Sequence, residues 1–239
     1  MGFKVFLESA KDIEALLPEI EKNCQFYLKN FGPLYRGMKV FDHSGEKKRR
    51  TDRKPRDTWE VFDQFINIWL KENKVISRSE GVFCYATEKG ISEYGYPFLI
   101  FPQGKFNSYY IRGVNDLTMN LGFGSESRVY HKTIEDEMSE AFKKAKSSKE
   151  ALKMMGDIYQ DHSKKMDDSR ENKIVLRDFK RVEKQLIALT KRKIVTNVQN
   201  NPAISNEEIV LDCDKYYYIN MDMMSTTEGL RNKVMGLFK

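Results

Sequence analysis

Three cysteines, three histidines and six prolines in 239 residues leave little room for several kinds of protein. Cys24, Cys84 and Cys213 are far apart and odd in number, so they supply neither a CxxC metal site nor a disulfide framework; a reducing, cytoplasmic setting is the expectation. Only His43, His131 and His162 could add imidazole ligands, which argues against a multi-histidine metal centre, and no metal is expected. No run approaches 18 uncharged apolar residues, so no membrane span is predicted. The opening Met1–Glu8 stretch lacks the apolar length of a signal peptide. What the chain does have is 40% apolar and 12% aromatic residues, enough to build a core rather than remain disordered.

The net charge of +6 is local. Between Lys47 and Arg56 the chain carries seven positive charges and one negative, so the remaining residues sum to zero. The segment reads as a basic loop, able to touch phosphates of a nucleic acid or a dinucleotide, or simply solvated.

Periodicity predicts an amphipathic helix over 10–30, ended by Asn30-Phe31-Gly32-Pro33, then a strand over Leu34–Phe41. After the basic loop, Asp57 or Thr58 is placed to cap a helix running through Trp59, Phe62, Phe65, Ile66, Trp69 and Leu70. Strand-like segments follow at Gly81–Ala86, Phe98–Phe101 and Ser108–Arg112, with Gly90, Gly95, Pro97, Pro102 and Gly104 assigned to turns. From about 133 to 194 the chain is charged and helical in period. Ile134, Met138, Ala141 and Ala145 form one stripe, and Val175, Phe179, Val182, Leu186 and Leu189 another, which predicts a helical hairpin. Strands return at Glu207–Cys213 and Lys215–Asn220. The layout is α+β: one domain over residues 1–239 with a β-rich core, an N-terminal helix and a helical insertion at about 125–198.

Three segments carry candidate chemistry. In Leu34-Tyr35-Arg36-Gly37 a strand arginine offers a forked, permanent charge for phosphate, and the glycine beside it allows a planar ligand close to the backbone. In Gly81–Gly95 a strand, a polar turn and a short helix end in Tyr94, whose ring could stack on a ligand; Phe83, Tyr85 and Tyr94 read equally as core aromatics. In Asn206-Glu207-Glu208-Ile209-Val210-Leu211 two carboxylates open an apolar strand, and alternation sends them to opposite faces.

In this order the three segments resemble the signature of the ADP-ribosyltransferase superfamily: an early strand Arg, a middle element with a stacking Tyr, and a late Glu opening an aliphatic strand. Lys215-Tyr216-Tyr217-Tyr218-Ile219 is similar to the aromatic-rich strand that follows. The resemblance spans about 110 residues in three pieces. Cys84-Tyr85-Ala86-Thr87 stands where many members have Ser-Thr-Ser, and the helical stretch is longer than the loop found there in the family. The resemblance implies a split β-sheet core and a NAD-consuming transferase that cleaves the nicotinamide–ribose bond. It passes ADP-ribose to a macromolecular acceptor, with protein favoured over nucleic acid. Arg36, Gly37, Phe83, Thr87, Tyr94 and Ser79 would then hold NAD, and Arg78 would lie near its phosphates. Glu208 would be catalytic, or Glu207 if the register is counted back from Lys215-Tyr216. The other reading is an inactive binding or structural protein that keeps the fold, touching nucleic acid through the 47–56 loop or a partner through the helical insertion.

Overall fold

The computed structural model describes residues 3–40, 42–51, 60–88, 91, 94–114, 132–198, 207–225 and 228–238, and for 3–9 and 228 the backbone alone. The chain gathers into two units, each made of non-consecutive segments. The first holds 1–51, 80–113 and 195–239; the second holds 52–79 and 114–194.

The first unit is built on two antiparallel sheets of four strands each. One has the order β1 (Leu34–Met38), β4 (Tyr96–Pro102), β8 (Lys215–Asn220), β2 (Ser44–Lys48). The other has the order β3 (Val82–Cys84), β7 (Ile209–Asp212), β5 (Asn107–Ile111), β6 (Ile194–Thr196). The expected α+β class stands. The two sheets share one buried core and are bridged through the backbone where Tyr35 and Tyr85 exchange hydrogen bonds of 2.8 Å each way, so the outer edge of β1 touches the chain just beyond β3.

Residues alternate across the first sheet as the pleat requires. Tyr217, Phe101 and Ile219 turn to the side covered by helices α1 (Phe3–Asn23) and α2 (Gln25–Asn30) and by the C-terminal pair α7 (Met221–Ser225) and α8 (Glu228–Met235). Asn23 Nδ2 donates to the Tyr217 hydroxyl at 2.9 Å, and the Tyr27 and Phe238 rings pack on Phe101. Tyr27, fully buried, fixes the turn from α2 into β1. Its hydroxyl donates to Gly32 O at 3.1 Å and accepts from Leu34 N–H at 2.9 Å. Helix and strand are thus locked together two residues before Arg36.

Several expectations are adjusted. The first helix begins at Phe3 and breaks at Cys24, while its end at Asn30 stands. The first strand stops at Met38, short of Phe41, which lies outside the described residues. Lys47 and Lys48 belong to β2, not to a loop, and Arg49 pairs with Asp212 and Asp214. Residues 52–56 of the basic segment lie outside the described residues, as do Asp57, Thr58, Trp59, Gly90 and His131. The strand expected over Gly81–Ala86 is shorter, Val82–Cys84. Pro97 and Pro102 fall near the two ends of β4, where a missing N–H costs the ladder least, instead of in turns.

In the second unit four helices pack: α3 (Glu60–Glu72), α4 (Lys132–Lys144), α5 (Ser148–Lys165) and α6 (Arg170–Thr190). The expected hairpin is therefore three helices, joined by α3. The breaks fall at Ser147 and Ser169, whose hydroxyls cap α5 and α6 by accepting from the N–H groups of Glu150 and Asn172. The α6 stripe buries Phe179, Val182, Leu186 and Leu189 as expected. In α4 the buried line is Ile134, Met138 and Phe142, one position on from the expected Ala141. The Phe65 ring meets Phe142, and Tyr159 meets Phe179. At the start of α5 the Glu72 carboxylate accepts from Ser148 N–H at 3.1 Å and Oγ–H at 2.6 Å, a negative charge at the positive end of a helix.

Candidate active site

The point where the two sheets touch collects most of the expected site residues. Tyr85 is its hub. Its backbone bonds Tyr35, which precedes Arg36; its ring stacks on Tyr94, centroids 6.5 Å apart and planes 20° from parallel; its hydroxyl donates to Glu208 Oε2 at 3.4 Å. Glu208 sits opposite Tyr85 because β3 and β7 pair Cys84 with Ile209, and the next step of that antiparallel ladder is 85 with 208.

Arg36 is half-buried, and its Nη1 donates to Phe83 O at 3.0 Å, which anchors the side chain on the β3 backbone. Its Nε is buried without a hydrogen-bond partner, so part of the guanidinium's donor capacity is unspent. Gly37 is required by close approach. A Cβ there would lie 2.6 Å from Tyr94 Cβ and 2.7 Å from Ile91 O, inside any tolerable contact. The turn that carries Tyr94 is closed by Tyr94 N–H to Ile91 O at 3.0 Å. It leads into β4 through Gly95, whose φ of +128° and close approach to Met38 O exclude a side chain. Tyr94 keeps 41% of its surface exposed, the state of a ring that can stack on something else.

Charge at this point is mixed: Arg36 and Glu208 carry opposite signs, and Lys47 adds a second cation from the far edge of the first sheet. The Lys47 ammonium lies 5.1 Å from the Tyr218 ring centroid. The register across β2, β8, β4 and β1 puts Lys47, Tyr218, Phe98 and Arg36 on one face of the first sheet. Burial, and then the positive charge of Arg36, hold the Lys47 ammonium below its ordinary range, partly offset by Asp42. Burial pushes the Cys84 thiol far up, opposed by Arg36 and reinforced by Cys213 and Glu208. Cys84, beside the site, is therefore held as an inert thiol rather than a nucleophile.

Of the residues singled out from sequence, Arg36, Gly37, Phe83, Tyr94 and Glu208 are brought together around Tyr85. Thr87 lies two residues beyond it, half-buried. Glu207 is half-buried on the neighbouring position, while the contact to Tyr85 is made by Glu208. Ser79 and Arg78 belong to the second unit. Ser79 Oγ lies 2.9 Å from Ser77 Oγ, and Arg78 N–H donates to Asn67 Oδ1 at 3.1 Å. Asn206 lies outside the described residues. Two participants do not stand out in the sequence: Tyr85, which reads as a core aromatic, and Lys47, hidden in the basic run. The pairing of a strand residue next to Cys84 with the one before Ile209 is the available signal for Tyr85.

Among the described residues, no group of three or more His, Cys, Asp or Glu side chains is placed to hold a metal ion, and no helix is long and apolar enough to cross a membrane. No family model, curated protein or solved structure matches the chain.

Proposed function

We propose that the first unit is an ADP-ribosyltransferase that uses NAD as substrate. One observation carries the reading: an arginine, a glycine, a partly exposed tyrosine and a glutamate from three remote segments gather around Tyr85 and its neighbours Phe83 and Ile91, residue types that suit this chemistry. Arg36, with Lys47 on the same sheet face, suits the two negative charges of the pyrophosphate. Gly37 lets the Tyr94 turn close against β1, which sets the position of the Tyr94 ring, and that ring offers a face for stacking. Glu208 stands ready for the ribose.

In the reaction the bond between ribose C1′ and the nicotinamide nitrogen breaks, and its electron pair neutralises the pyridinium, so nicotinamide leaves uncharged. Positive charge develops at C1′. The Glu208 carboxylate stabilises that charge electrostatically and accepts a hydrogen bond from a ribose hydroxyl. The acceptor's lone pair forms the new bond at C1′, and its proton passes to Glu208 or to solvent. The Tyr85 hydroxyl, donating to the carboxylate, holds Glu208 in place.

The test is release of nicotinamide from NAD by the purified chain, with binding followed separately by calorimetry. Binding and release, both lost in Arg36→Ala, support the proposal. Binding without release makes the chain a NAD-binding protein of the same architecture, and absence of both removes the reading. With labelled NAD and a cell lysate, label that survives nuclease and is lost to protease marks a protein acceptor, the kind we favour; the reverse marks nucleic acid.

A further inference from the structure

We propose that the outward face of helix α6 binds the phosphodiester backbone of nucleic acid. The inference rests on the second unit alone and stands apart from the NAD reading.

The segment from Arg170 to Lys193 carries nine Lys or Arg against three Asp or Glu. Their distribution is one-sided. With 3.6 residues per turn, Phe179, Val182, Leu186 and Leu189 mark the buried side. Arg170, Lys173, Arg177, Lys180, Arg181 and Lys184 fall on the opposite side, at steps of three and four, and Lys191 continues the line just past the helix end. No acid lies on that line. Glu171, Asp178 and Glu183 sit on the flanks, nearer the core. An ordinary solvated helix face mixes both signs; the central line here carries only cations from Arg170 to Lys184, about four turns or ~21 Å at ~1.5 Å per residue, with Lys173 also reaching Asp168, just before the helix, at 2.9 Å.

The cations are also oriented. Asp178, buried, lies 3.4 Å from Arg177 Nη2 and 3.6 Å from Arg181 Nη2, which steadies two guanidinium groups on this side of the helix. Lys180 pairs with Glu183 at 2.8 Å while its ammonium stands 4.0 Å from the Tyr159 ring centroid. Arg177, Lys180, Arg181, Lys184, Gln185 and Ala188 line an open depression of about 430 Å³ on this side.

Charge and composition together select the occupant. A protein partner needs an apolar or aromatic anchor at the centre of the patch. Here the exposed Ile174 and Ile187 lie on opposite flanks and leave the central line to cations. A row of one or two cations per turn over the first four turns, with no apolar centre, fits a polymer bearing regularly spaced phosphates, where binding comes from counterion release.

The experiment uses the full chain and fluorescence anisotropy with labelled single-stranded RNA, single-stranded DNA and duplex DNA, at salt from about 50 to about 200 mM. Binding to any of the three should weaken by roughly a hundredfold over that range, as expected when about five phosphates are neutralised. Two variants probe the ridge. R177Q/R181Q removes the arginines held by Asp178, and K173Q/K184Q/K191Q leaves those pairs intact, so a folding defect in the first does not decide the matter. Each should weaken binding about tenfold or more at low salt and flatten the salt slope by about 0.7 to 0.9 for every phosphate no longer neutralised. A preference for RNA or for DNA, or none, fits the proposal equally. It is overturned if no probe binds at about 50 mM salt, if poly-glutamate competes as well as nucleic acid, or if K173Q/K184Q/K191Q binds like the parent. It is also overturned if R53Q/K54Q/R56Q alone abolishes binding.

Discussion

The Tyr85 hydroxyl donates to Glu208 Oε2 at 3.4 Å, a long hydrogen bond between two side chains 123 residues apart in sequence. It connects the middle segment of the site to the late one, while the same residue's backbone connects to the early one through Tyr35. Tyr85→Phe removes only the hydroxyl and keeps the ring on Tyr94. We expect nicotinamide release to fall by about tenfold or less, the scale of one long hydrogen bond to a charged group, with NAD affinity unchanged. A loss in binding instead of turnover would mean that the hydroxyl serves the ligand directly.

Glu208→Gln should retain fold and NAD binding and lower turnover by about 10²–10³-fold, the loss typical when one preorganised electrostatic group is removed. Glu207→Gln should stay within about threefold of the parent, since the contact to Tyr85 is made from position 208. The two variants, compared by steady-state nicotinamide release, decide between adjacent carboxylates. Reversed results would show that the strand enters the site one residue earlier.

Gly37→Ala must displace either the Tyr94 turn or strand β1, because its methyl would sit 2.6 Å from Tyr94 Cβ and 2.7 Å from Ile91 O. Overpacking of this kind costs about 1–3 kcal/mol, readable as a lower midpoint in denaturant unfolding. The Tyr94 ring should move with the turn, so NAD binding should suffer more than the stability loss alone accounts for.

Tyr27→Phe deletes both hydrogen bonds of a fully buried hydroxyl and strands the Leu34 N–H. The expected cost is about 1–3 kcal/mol, measured by urea unfolding. Because this turn delivers β1, amide exchange should quicken at Leu34 and Tyr35 before it does elsewhere in the sheet.

Burial pushes the thiols of Cys24 and Cys213 up to about 12, from an ordinary 9.0. Burial likewise raises the Tyr27 phenol. Above pH ~9 the unfolded chain gives up these protons while the folded chain keeps them. Their contribution to stability is therefore complete below about 9 and is lost as pH rises towards 12. Thermal midpoints should decline through that window. In the native state at pH ~8 all three cysteines should resist alkylation, and all should react once the chain is denatured.

How much the sequence reveals depends on whether a residue's partner is near it in the chain. Strand β8 is legible to its boundaries, because Lys215–Asn220 is a run of aromatic and aliphatic residues, and the α6 stripe follows from its own period. Strand β2 is not legible. Ser44-Gly45-Glu46-Lys47-Lys48 has no β-branched or aromatic residue, and it is a strand because it pairs along the edge of β8, with Tyr218 lying against Gly45. The helix breaks at Ser147 and Ser169 are marked by capping residues, yet the continuous charge around them masks the punctuation. Within the site, Arg36 and Glu208 stand out by residue type and position. Tyr85 does not, because its role lies in where a hydroxyl points across a ladder that forms only in the folded sheet.

The order of strands in the first sheet has a bearing on how the protein is made. β8 lies between β4 and β2, so the sheet's second interior strand is the last one to leave the ribosome. Until residues 215–220 emerge, β2 has no neighbour, and the apolar run of β4 is paired on one edge only. From the completion of β4 until residues 215–220 emerge, the nascent chain thus carries a sticky, half-built sheet, a state open to intermolecular pairing and to chaperone capture. Truncations anywhere before Asn220 should aggregate rather than yield a smaller folded product, and refolding from denaturant should be slow, as it is for folds closed by distant pairings.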